Sequence, residues 1–91
     1  MNQQLVMQAQ EGIIWKTVQG EVVLLNPENG QYFGLNASGS SFWEKLDGRQ
    51  TVGQIVSAMG SEYVVDQAEL FRDIEELVET LLEKGLIRIV A

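Results

Sequence analysis

The sequence predicts an α+β domain: a three-stranded antiparallel sheet followed by three helices, winged helix-turn-helix-like in the order of the last two. Three observations predict it. The first third is β-branched, aromatic or alternating, and is cut by two turn signals, Gln19-Gly20 and Asn26-Pro27-Glu28-Asn29-Gly30. From Asn36 onward the apolar residues recur at helical spacing. That second part is divided by patterns of the capping-box type at Thr51 and Asp66 and closed by Gly85. With 91 residues, 45% hydrophobic and 21% charged, the chain makes one domain. A chain of this size buries roughly 60–65% of the surface that its unfolded form exposes.

Taken in order, residues 1–11 are Gln-rich with an apolar clump at Leu5, Val6 and Met7, and read as a tail or a short extra strand. Residues 12–91 form the domain proper. Ile13–Val18 is the first strand of the sheet. Glu21–Leu25, nearly all apolar, is expected to be central and covered on both faces. Gly30–Asn36 is the third and outer strand, in which Gln31, Phe33 and Leu35 alternate with Tyr32, Gly34 and Asn36. Asn36 caps a first helix that buries Phe42, Trp43 and Leu46 and ends at Asp47-Gly48. Thr51 opens a second helix with Val52, Ile55, Val56 and Met59 inward, stopped by Gly60. Asp66 opens a long third helix, and Leu86–Val90 returns as a short strand or an apolar tail on the sheet. Trp15 and Trp43 read as core.

Composition removes several function classes. Net charge is −7, and the six Lys and Arg are scattered, which counts against nucleic acid. There is no His and no Cys, so the commonest general base, the strongest nucleophile and the usual zinc ligands are missing. No metal, no cofactor and no catalysis are expected. Residues 1–5 lack a basic start and an apolar core, and no run is long enough to span a membrane, so a cytoplasmic location is expected.

Two features point to binding. The outer strand carries no charge, Pro or other device that would blunt its edge, and Gly34 leaves its backbone unshielded. On the third helix, Leu70, Phe71, Ile74, Leu77, Val78, Leu81 and Leu82 cover an arc of about 140°, wider than the roughly 100° that faces a single core. One shoulder can pack under the sheet while the other lines a groove beside the outer strand. A core role for all seven, with the seven acids of this helix as a solvated face, is the plainer reading of the same pattern.

Several segments together resemble the PqqD-like proteins. They are Asp47-Gly48-Arg49-Gln50-Thr51-Val52, Ile55-Val56, Asp73-Ile74-Glu75-Glu76-Leu77-Val78 and Gly85-Leu86-Ile87. Gly30-Gln31-Tyr32-Phe33-Gly34-Leu35-Asn36 resembles the third strand of the standalone members of lasso-peptide biosynthesis. The resemblance covers about residues 12 to 88. It implies a precursor-peptide recognition element that binds the leader of a ribosomally made peptide as an added strand. Backbone groups would come from Gln31, Tyr32, Phe33, Gly34 and Leu35. Pockets would come from Tyr32, Phe33, Phe71, Ile74 and Val78, with Glu75 and Asp73 meeting basic leader residues. In the lasso subset the leader usually carries a Tyr-x-x-Pro segment. The implied partners are the leader peptide, a transglutaminase-like cysteine peptidase and a ring-closing cyclase. Leu77 and Val78 stand where the family commonly has a Phe-Leu pair.

Two other readings use the same elements. A winged-helix DNA-binding regulator is compatible with the helix order but lacks a basic face on either candidate helix. A structural subunit would use the open strand edge to dimerise.

Overall fold

The computed structural model describes residues 3–62 and 66–90. The first two residues of the N-terminal segment and the last residue of the domain lie outside the described residues. Eight elements follow in order: β1 (Met7–Ala9), β2 (Ile14–Val18), β3 (Glu21–Asn26), β4 (Gln31–Gly34), α1 (Ala37–Lys45), α2 (Val52–Gly60), α3 (Gln67–Glu83) and β5 (Ile87–Ile89). The architecture is the α+β one expected, with β2-β3-β4 antiparallel and three helices after it.

Local chemistry explains most boundaries. Gln19 and Gly20 both have positive φ (53° and 84°), the combination that lets a two-residue turn match the twist of its strands. Asn36 accepts from Gly39 N–H at 2.9 Å to start α1. Thr51 and Gln54 bond reciprocally, 3.1 and 2.8 Å, in a complete capping box on α2. Asp66 accepts from Ala68 N–H at 2.8 Å at the start of α3. At its end Gly85 has φ 71°, Leu86 N–H reaches Leu81 C=O and Gly85 N–H reaches Leu82 C=O, a Schellman closure. Between α1 and α2, the backbone N–H groups of Gln50 and Arg49 converge on the Asp47 carboxylate and hold its pKa below the usual value.

The core gathers Val22, Leu24 and Leu35 from the sheet side, Phe42 and Trp43 from α1, Ile55 and Met59 from α2, and Ile74, Val78 and Leu81 from α3. The N-terminal segment belongs to it. Met7 is buried, β1 pairs antiparallel with β5, and Leu5 C=O and Gln3 C=O accept from the first two N–H groups of α2, Val52 and Gly53. Those donors have no partner within the helix, so the segment acts as a backbone cap. The C-terminal strand thus pairs with β1 in a second, two-stranded sheet and not with the main one.

Two expectations about the sheet are corrected. Residues Val22 and Leu24 of β3 are buried against the helices, but Val23 and Leu25 point to the other face, where only neighbouring side chains shield them. No described element covers that face, so β3 is central yet covered on one side. Trp15 is 45% exposed and meets the core through an edge-to-face contact with Trp43, centroids 6.3 Å apart. The cause is topological: β2 is the far edge of the sheet and overhangs the helices, leaving all five of its residues exposed.

A serine closes the β3–β4 ladder. The Ser40 hydroxyl accepts from Val22 N–H at 2.8 Å and donates to Leu35 C=O at 3.3 Å, standing in for the direct bond that the two strands can no longer make. Ser40 is buried. Ser40→Ala strips a partner from two buried backbone groups and is expected to lower unfolding free energy by about 1–3 kcal/mol. Urea denaturation would register this as a lower midpoint at an unchanged slope.

Candidate functional site: an open strand edge beside a groove

The outer strand exposes a defined subset of its backbone. Leu35 N–H donates to Val22 C=O at 2.8 Å. In an antiparallel ladder bonded and non-bonded pairs alternate. With Val23 opposite Gly34, Leu24 opposite Phe33 and Leu25 opposite Tyr32, the Leu24–Phe33 pair is bonded and the two flanking pairs are not. The N–H and C=O groups of Tyr32 and Gly34 therefore face away from β3, at the free edge. Those of Phe33 and Leu35 face inward. Side chains divide the other way: Phe33 and Leu35 point to the helices, while Tyr32, 71% exposed, and Gly34 point to the uncovered face.

Alongside this edge runs a groove of about 480 Å³ between β4 and α3. Its sheet wall is Phe33, Gly34 and Leu35, and its helix wall is Asp73, Ile74, Glu76, Leu77 and Thr80. One end is closed by Asn36, Ser38 and Gly39, where the start of α1 turns across. Packing leaves the space: α3 lies closely on α1, α2 and β5, and not on β4. The floor is apolar, through Phe33, Leu77 and buried Ile74, and the helix rim is acidic, through Asp73 and Glu76. At the opposite end Lys84 Nζ lies 5.6 Å from the centre of the Phe33 ring.

Which shoulder of α3 lines the groove differs from the sequence-based expectation. Of the residues named there, Phe33, Gly34, Leu35, Asp73 and Ile74 line the groove, and Gln31 and Tyr32 border an adjoining cleft. Phe71, Glu75 and Val78 line neither. Val78 is buried in the core and Phe71 packs half-buried against it. Contacts from distant elements set this rotation. Gln67 Nε2 donates to Val56 C=O at 3.1 Å, which fixes α2 on the α3 stripe that continues through Phe71 and Val78. On the other side Gly39 brings α1 so close that an added Cβ would stand 3.1 Å from Leu77 Cδ2. Leu77, Glu76 and Thr80 also line the groove and were not among the expected residues. A signal for them existed in the small-residue run Ala37-Ser38-Gly39-Ser40-Ser41, which permits a close helix approach on one side only.

The fold and the groove define a class: small α+β domains in which a three-stranded antiparallel sheet offers an unblunted edge beside the last of three helices. The chain belongs to the family of coenzyme PQQ synthesis protein D (PqqD), whose family model matches residues 21–87. Three solved structures are similar over nearly the whole chain. TbiB1 in complex with the TbiA(beta) leader peptide is 33% identical with a TM-score of 0.80, covering 89% of this chain and 94% of that one. A lasso peptide synthetase B1 complexed with its leader peptide is 26% identical, TM-score 0.79, with 90% and 96% covered. The PqqD part of Methylobacterium extorquens PqqCD is 28% identical, TM-score 0.76, with 91% and 88% covered. That last protein is described as a functional, stand-alone recognition element for ribosomally synthesised and post-translationally modified peptides. Comparison with curated proteins gave no match. No described helix is long and apolar enough to cross a membrane.

Proposed function

We propose that this protein is a non-catalytic recognition element for the leader segment of a ribosomally made precursor peptide, of the lasso type. The leader adds to the sheet as a strand beside β4. It bonds to the N–H and C=O groups of Tyr32 and Gly34 and sets alternate side chains into the groove. The observation that carries this reading is the pair of outward-facing backbone sites directly above an apolar groove. Likeness to two proteins solved with leader peptides supports it. Phe33, Ile74 and Leu77 supply the apolar contacts, and Asp73 and Glu76 receive basic leader side chains. In this reading Phe71 and Val78 support the helix from the core side. The complex is then delivered in the cytoplasm to a leader peptidase of the transglutaminase-like cysteine type, and to a cyclase.

Charge argues against the DNA-binding alternative. The exposed face of α2 carries Gln54, Ser57 and Ala58, and that of α3 carries five carboxylates from Glu69 to Glu83 around the single Arg72. Neither face matches a phosphate backbone.

Isothermal calorimetry with the synthetic leader of the precursor encoded beside this gene tests the proposal. Saturable one-to-one binding in the micromolar range or tighter is expected. Absence of heat at high micromolar concentration would remove the leader-binding reading.

A further inference from the structure

On the far side of Phe33 from the groove lies a smaller cleft formed by Asn26, Asn29, Gln31, Lys84 and Leu86. Two of its polar side chains already turn their oxygens to backbone N–H groups. Asn26 Oδ1 accepts from Glu28 N–H at 3.0 Å, and Asn29 Oδ1 accepts from Gln31 N–H at 2.9 Å. Each bond orients its amide and leaves both NH2 donors for a ligand. Lys84 contributes donors only, and among the described residues no carboxylate pairs with it. Donors over an apolar floor of Phe33 and Leu86 suit a negatively charged acceptor.

The far end of the same strand has the opposite character, with Asp73 and Glu76 on the rim and no cation lining it. At 100° per residue Asp73, Leu77, Thr80 and Lys84 fall on one stripe of α3, which borders β4 at both ends. From Asp73 to Lys84 the helix rises about 16 Å, the length of about five residues of extended peptide.

We propose that the Lys84 cleft is a carboxylate subsite that takes an Asp or Glu side chain of the peptide lying along β4. Together with the Asp73–Glu76 end it makes the groove read the polarity of that peptide. The inference rests on the leader-binding reading above. β4 runs from the Lys84 end toward the Asp73 end. A peptide that continues the antiparallel pattern therefore presents its basic residue first and its acidic residue about four or six positions later, the even spacings that keep both side chains on the α3 face. The competing account is that Lys84 only offsets the negative end of the α3 dipole.

A mutant cycle separates the two. The probe is the same synthetic leader, together with versions in which each Asp or Glu is replaced by Asn or Gln, titrated at low salt into wild type and Lys84→Met. Replacement at one acidic position is expected to weaken wild-type binding by about three- to tenfold and to leave Lys84→Met unaffected. Lys84→Glu should lose the original leader and regain binding when that position is Lys. Equal affinity of wild type and Lys84→Met for the unaltered leader would overturn the subsite while leaving leader binding intact. A wild-type protein that does not bind the leader removes the functional reading, and this inference with it.

Discussion

Gly34→Pro is expected to abolish leader binding while leaving the domain folded. The Gly34 N–H is one of the two donors that face the free edge, so proline removes a bond to the visitor and none to β3. Its ring also fills the space that the incoming backbone must occupy. The leader carbonyl left without a donor costs about 1–3 kcal/mol, and the steric block adds to it, so a loss of at least about a hundredfold is expected. Nothing lies within 4 Å of where a Cβ would stand at Gly34, and its φ is not positive, so side-chain atoms fit there in the free protein. Proline is tolerated at edge positions whose N–H points outward. Phe33→Pro is the informative contrast. That residue's N–H faces β3, so the same substitution one position earlier should break the ladder and lower stability by about 3 kcal/mol or more. Circular dichroism melting and calorimetry on both variants check the pair. Leader binding by Gly34→Pro at wild-type strength would exclude pairing at this edge.

Leu77→Asn carries the second large effect. Leu77 is half-buried on the helix wall, between acidic Asp73 and Lys84 along one stripe of α3. Asparagine keeps the heavy-atom count and branching but puts an amide where a leader side chain should find an apolar surface. Lost apolar contact and an unpaired polar group together cost about 2–3 kcal/mol, a loss of roughly 30- to 150-fold in affinity. Phe71→Ala serves as its counterpart on the other shoulder, lowering stability with little change in affinity. Reversed outcomes, with Phe71→Ala the variant that loses affinity, would mean that the leader does not use the β4–α3 groove.

Much of the architecture was legible because it is written locally. The turns at Gln19-Gly20 and Asn26–Gly30, the caps at Asn36, Thr51 and Asp66, and the Gly85 closure are each decided within a few residues of chain. The same locality made β4 recognisable as an outer strand without protection. Reading Trp15 as core failed for the opposite reason. Its composition is that of a buried residue, but its position on the far edge of the sheet depends on how much of the sheet three helices can cover.

The site divides along the same line. By itself the sequence determined the element order, the unblunted strand and a third helix with more apolar surface than one contact uses, and its motifs carried the resemblance to the family. Tertiary structure alone decided which side of α3 faces the strand. Periodicity specifies a stripe relative to its own helix axis, whereas its absolute direction is set by partners distant in sequence, Gln67 on Val56 and Gly39 on Leu77. It likewise decided which backbone groups are open: alternation of bonded pairs depends on register with β3, and leaves Tyr32 and Gly34 outward while Phe33 and Leu35 hold the sheet.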